Sequence, residues 1–181
     1  PQENTELETY STEKEVLIAW QKMIQRENPD IIIGYNIFGF DYEFMFRRAE
    51  ETGCVSEFLK LSRNKDEVCA NRDFNTGEYK IEESSIQIAS GQHDLRFIKM
   101  NGRLQVDLYN FFRREENLVS YKLDYVAGHF IGDYVKRIDA DKKKKVTTIH
   151  TSNLTGLLAG SYVHFEEIGH TVDYYDDGAK F

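Results

Sequence analysis

The tightest constraint on how this chain can fold is the stretch Asp30-Ile31-Ile32-Ile33-Gly34-Tyr35-Asn36-Ile37-Phe38-Gly39-Phe40-Asp41, followed by Tyr42-Glu43-Phe44-Met45-Phe46-Arg47-Arg48-Ala49. A short apolar run, a polar turn and then apolar residues at helical spacing spell strand, loop and helix. Such a junction can deliver an acidic side chain to a place where chemistry happens, and Asp41 is that side chain. Gly39 allows a tight turn just before it. Asp41 also falls at the start of the helix, where a carboxylate can cap free N–H groups. On this stretch alone both readings stay open.

The flanking segments supply the rest of an α/β core. Thr12-Glu13-Lys14-Glu15 fits a capping box, and Val16, Leu17, Trp20, Met23 and Ile24 recur at helical spacing. A helix is therefore expected from about Thr12 to about Glu27, ended by Asn28-Pro29, with Trp20 in the core. The continuous apolar strand Ile31 to Gly34 suits a sheet covered on both faces. The helix after Asp41 should run to about Thr52 and stop at Gly53.

From Cys54 to Asp94 the pattern weakens into polar and charged residues, an excursion expected to contain a short hairpin around Asn75-Thr76-Gly77. Asn101-Gly102 lies between the alternating runs Phe97 to Met100 and Arg103 to Leu108, a strong hairpin signal. Helices are expected over Leu108 to Arg114 and from Ser120 to near Gly132. Beyond the basic run Lys142-Lys143-Lys144-Lys145, glycines punctuate Tyr162 to Glu166 and His170 to Tyr174, which reads as β-rich, with Asp177-Gly178 marking a hairpin.

Three of these blocks carry a resemblance. Gly34-Tyr35-Asn36-x-x-x-Phe40-Asp41 resembles the second exonuclease motif of family B DNA polymerases. Gly102-Arg103-Leu104-Gln105-Val106-Asp107 is similar to the Gly-Arg-x-x-x-Asp strand that follows it in that family, and Leu118-Val119-Ser120-Tyr121-Lys122-Leu123 to a helix start further on. Blocks in the right order across roughly residues 12 to 132 are far more specific than one short motif. The segment after the lysine run looks like the insertion found ahead of the third exonuclease motif in polymerases of large DNA viruses of eukaryotes.

The resemblance implies an incomplete ribonuclease-H-like exonuclease fold of the α/β class. Residues 1–135 would be the central part of a 3′–5′ exonuclease domain, and residues 136–181 a truncated β-rich insertion. It implies a delta-like or viral DNA polymerase that hydrolyses mispaired primer ends with two Mg²⁺ (or Mn²⁺) ions. Asp41 would be a catalytic metal ligand, while Asn36 and Phe40 would meet the single-stranded primer end. Further partners would be the remaining polymerase domains and a sliding clamp, in the nucleus or at a viral replication site in the cytoplasm. The family draws its other carboxylates from an Asp-x-Glu strand and a Tyr-x-x-x-Asp helix, expected before residue 1 and after residue 181. The 181-residue chain alone is therefore expected to be inactive. Asp107 is not one of the family's catalytic acids and is read as a helix-capping or positioning group.

Composition narrows the alternatives. The formal net charge of −8 argues against holding nucleic acid mainly through backbone electrostatics, but not against metal-dependent hydrolysis, in which cations neutralise an acidic cluster. No stretch has the length of a membrane span. Cys54 and Cys69 form no Cys-x-x-Cys pattern, and His93, His129, His150, His164 and His170 show no zinc spacing. Tyr174-Tyr175-Asp176-Asp177 matches the Tyr-x-Asp-Asp of reverse-transcriptase palms, but no upstream palm strand accompanies it, and it is read as a turn. The rival readings are a noncatalytic interaction module on an exonuclease scaffold and a freestanding DNA exonuclease.

Overall fold

The computed structural model of the chain describes residues 5–88, 91–141, 143, 145–168 and 172–180. Helix α1 spans Glu13–Glu27 and opens with a complete capping box: Thr12 accepts from the Glu15 amide, and the Glu15 carboxylate accepts from the Thr12 amide. Its inner face buries Leu17, Gln21 and Ile24, and Trp20 leans on Phe58 with ring centroids 5.8 Å apart. Asn28, in the left-handed region at φ 45°, ends it.

Strand β1, Ile31–Gly34, leads into a π-helical turn over Ile37–Asp41 and directly on into α2, Tyr42–Glu51. Here the positive φ belongs to Asn36 (61°), whereas Gly39 is absent from the positive-φ positions. Gly39 supplies room instead, because a Cβ there would stand 2.3 Å from Asn36 Oδ1. Gly53, at φ 64°, follows α2 as expected.

The segment after Cys54 is not the polar excursion that its composition suggests. It forms α3, Val55–Phe58, and contributes Phe58, Leu59 and Leu61, each fully buried. Its apolar residues sit too close together and in elements too short for any periodicity to show. Strands β2 (Asn71–Arg72) and β3 (Tyr79–Lys80) pair antiparallel around the expected turn, where the Asp73 carboxylate accepts from the amides of Asn75 and Thr76. A second hairpin joins β4 (Glu82–Ile88) to β5 (Gly91–Phe97) in register Glu82↔Phe97.

Strand β6, Leu104–Asp107, overturns the Asn-Gly hairpin. Asn101-Gly102 does make a turn, with the Arg103 amide donating to the Met100 carbonyl at 3.1 Å, but the flanking strands pair elsewhere. Of the two central residues only Gly102 has positive φ (83°), so the turn lacks the primed geometry that keeps hairpin strands together. Instead β6 runs parallel to β1, Ile31↔Leu104 through Gly34↔Asp107. This two-stranded sheet also corrects the expectation of cover on both faces. Ile32 packs on the core, but Ile31 and Ile33 are 55% and 59% exposed, because no described element lies over their side.

Helix α4 spans Leu108–Glu115 and α5 spans Leu123–Ile131, starting later than Ser120. The chain divides into two compact units, Pro1–Leu123 and Asp124–Phe181. The core lies in the first, around Leu17, Tyr42, Phe46, Phe58, Leu61 and Ile98. The second holds the hairpin of β7 (Arg137–Asp141) with β8 (Val146–His150), and the antiparallel pair β9 (Glu166–Ile168) and β10 (Val172–Tyr174). The first late strand thus begins at Glu166 and not at Tyr162, and Asp177-Gly178 falls in a 3-10 turn over Tyr175–Gly178 and not in a hairpin loop. Lys143 and Lys145 are exposed at the β7–β8 turn, while Lys142, Lys144 and His170 lie outside the described residues. Among the described residues no helix is long and apolar enough to cross a membrane.

Candidate active site

The three sequence blocks meet at the carboxyl end of β1. Gly34 stands opposite Asp107 in the parallel register, and the Tyr35 hydroxyl donates to the Tyr121 carbonyl at 2.5 Å. A ligand crevice at the carboxyl ends of strands is the usual place for a site in an α/β sheet.

Asp107 organises this corner. It is 5% exposed, and four donors converge on its carboxylate. Oδ1 accepts from the amides of Asn36 at 2.7 Å and Tyr109 at 3.0 Å. Oδ2 accepts from the Phe38 amide at 3.0 Å and the Asn110 side-chain amide at 3.1 Å. The residue caps α4, as expected, and also the π-helical turn that opens on Asn36, a contact across 71 positions of sequence.

Asp41 is treated in the opposite way. It has helical φ and ψ (−62°, −45°) and makes no side-chain capping bond. The N-cap alternative is therefore not realised, because the helix begins a turn earlier and its first free amides go to Asp107. Among the described residues the Asp41 carboxylate has no hydrogen bond and no ion pair, and it is half-buried. The neighbouring acid, Glu43, is already engaged: Arg96 first and Arg47 second hold its carboxyl below the usual range.

Asn36, Phe40 and Asp41 are brought together on one turn, with the Phe40 amide bonded to the Asn36 carbonyl at 3.0 Å. Phe40 is 59% exposed and stacks on Phe44, itself 50% exposed, at 5.6 Å with planes 13° apart. Phe44 lies outside the sequence motif, although its position four residues after Phe40 places it on the same helix face. Phe38 turns inward, against Tyr42 and Phe97. Tyr42 is buried with its hydroxyl unpartnered among the described residues, and burial, reinforced by Asp107 and Asp41, pushes the phenol far above its ordinary range. It stays neutral at any working pH.

Among the described residues there is no group of three or more His, Cys, Asp or Glu that could hold a metal ion. Asp41 could serve as one metal ligand, since its oxygens are uncommitted among the described residues. Cys54 and Cys69 are buried and free.

Residues 1–126 match the family described as DNA polymerase family B, exonuclease domain. The chain is 49% identical over 178 residues to the DNA polymerase of Phaeocystis pouchetii virus, covering 98% of this chain and 17% of that protein. It is 37% identical over 155 residues to the DNA polymerase of Pyramimonas orientalis virus, covering 86% and 12%. It is also 36% identical over 127 residues to the DNA polymerase delta catalytic subunit of Oryza sativa subsp. japonica, covering 69% and 10%. The chain thus spans less than a fifth of the length of these curated relatives.

Proposed function

The chain belongs to the exonuclease domain of family B DNA polymerases, and from that premise we propose that it is the central part of a proofreading 3′–5′ exonuclease within a longer DNA polymerase. The fold is then a ribonuclease-H-like core, and the substrate a frayed, mispaired primer end. The observation that carries this reading is the uncommitted carboxylate of Asp41, presented at the carboxyl end of β1 beside an exposed aromatic pair.

In this reading Asp41 is one ligand of a two-ion site for Mg²⁺ or Mn²⁺, completed by carboxylates from other parts of the polymerase. When bound, such ions supply an activated water and charge stabilisation at the leaving oxygen. The residues of this chain do the rest. Phe40 packs on the base or sugar of the terminal nucleotide, an interaction that every base can make. Asn36, held in its left-handed conformation, positions the strand end. Phe38 and Tyr42 fill the interior behind Asp41, so that its backbone is backed by packed apolar groups. The net charge of −8 leaves the attraction of the DNA backbone to basic surfaces elsewhere in the polymerase and to the cations. A sliding clamp is the expected processivity partner, and the nucleus or a viral replication site in the cytoplasm the expected location.

The test is removal of single-stranded primer ends by the full-length polymerase. Asp41→Ala should abolish hydrolysis while leaving nucleotide incorporation intact. Unchanged hydrolysis would return the fold to the role of a noncatalytic scaffold.

A further inference from the structure

Asp107 takes no part in the chemistry proposed above, yet among the described residues of the first unit its carboxylate accepts the most hydrogen bonds. Its two motif contacts are to the backbone amides of Asn36 and Phe38, which lie one on each side of Ile37, where the π-helical turn begins. From there backbone hydrogen bonds run on without a gap. The Asn36 carbonyl accepts from Gly39 and Phe40, the Ile37 carbonyl accepts from Tyr42, and Asp41 passes without a break into α2. Fixing Asn36 and Phe38 therefore fixes the direction in which Phe40 and Asp41 leave the sheet.

The other half of the carboxylate is anchored in β6 and α4, which also stand fixed by the Tyr109 amide and the parallel register with β1. A carboxylate has two acceptor oxygens and can share four bonds between two elements, which a hydroxyl or an amide, with one acceptor oxygen each, cannot. Gly34, opposite Asp107, is part of the same device, since a Cβ there would meet the Ile37 side chain at 2.4 Å.

We propose that Asp107 is a positioning residue of the exonuclease reaction, clamping the amides of Asn36 and Phe38 so that Asp41 and Phe40 are held in the geometry that catalysis requires. The proposal rests on the exonuclease reading given above. Catalytic geometry is steep in distance, and a displacement of about 1 Å can lower turnover about a hundredfold.

Two variants of the full-length polymerase separate this role from ordinary helix capping. In Asp107→Asn one oxygen becomes an amide nitrogen. Since each oxygen now accepts two donors, that nitrogen must face two N–H groups whichever way it turns. Asp107→Ser keeps an N-cap for α4 but is too short to reach Asn36 and Phe38. Three quantities are measured: exonuclease kcat and KM on single-stranded DNA, nucleotide incorporation, and amide exchange in residues 36–41 compared with α1. Both variants should lose about ten- to a hundredfold in kcat, with the larger change in kcat rather than KM. Exchange should quicken in residues 36–41 and not in α1, and incorporation should be unchanged.

Undiminished kcat in either variant overturns the proposal. So does exchange that quickens equally in α1, which would make Asp107 a general stabiliser, or lost kcat with unchanged exchange, which would make it a direct participant. Failure of the underlying reading is distinguishable, because there Asp41→Ala itself retains hydrolysis while the exchange effect of Asp107→Asn remains.

Discussion

Asp41 and Asp107 are the same residue type put to opposite uses, and burial with donor count decides which. Asp107 is closed over with four donors; Asp41 has none among the described residues. Because the Asp41 carboxylate holds nothing together, Asp41→Ala should change folding stability by no more than about 0.5 kcal/mol in a denaturant titration. A loss of several kcal/mol would show that the side chain is structural. Phe40→Ala should weaken single-strand binding by about 1–3 kcal/mol, measured by fluorescence anisotropy on the full-length polymerase, since a stacking ring is removed from a surface position. Binding that is indifferent to Phe40 would remove it from the interface. Glu43 gives a pH signature. Arg96 and Arg47 lower its carboxyl in the folded state, so its contribution is present above the ordinary carboxylate range and is lost as pH falls through the lowered value. The difference in melting temperature between wild type and Glu43→Gln should be full near neutrality and fade below about pH 4. A difference that persists undiminished in acid would contradict the ion-pair origin.

At the scale of elements, α1 and α2 are legible because each is written in local terms: a capping box, helical spacing, and a left-handed or glycine stop. Thr12→Ala should accordingly cost about 1 kcal/mol, read from thermal unfolding. The segment around α3 is the opposite case. Leu59 and Leu61 are fully buried although nothing periodic surrounds them, held by long-range bonds such as Gln21 Nε2 to the Lys60 carbonyl at 2.7 Å. Leu61→Ala should cost about 2–5 kcal/mol, whereas a helix-surface change such as Val16→Ala should cost far less. Equal effects at the two positions would mean that the second does not anchor the core. The Asn101-Gly102 turn shows why strand pairing escapes such reading. The dipeptide fixes a reversal, but the partner of β6 is set by which apolar run it meets in three dimensions, and that run is β1.

For the whole molecule, the decisive fact is that the 181-residue chain spans 17% of the Phaeocystis pouchetii virus polymerase that it matches, with one uncommitted carboxylate at the candidate site among the described residues. Two-ion hydrolysis needs several carboxylates converging on cations about 4 Å apart. The isolated chain should therefore release no nucleotides from single-stranded DNA with Mg²⁺ or Mn²⁺, under conditions in which the full-length polymerase does. Turnover by the isolated chain that Asp41→Ala abolishes would show that its own residues complete the site.

The sequence by itself determined the class of fold, the helices on either side of β1 and the placing of Asn36, Phe40 and Asp41 at one junction, because each is carried by neighbours within a few positions, and it determined the family through the order of three short blocks, which needs no knowledge of how they pack. Only the tertiary structure decided that β6 runs parallel to β1, that the core passes through residues 58–61, and that Asp107 clamps the amides of Asn36 and Phe38. Those depend on contacts between residues tens of positions apart. Burial and hydrogen-bond partners belong to the folded surroundings, and not to the residue type.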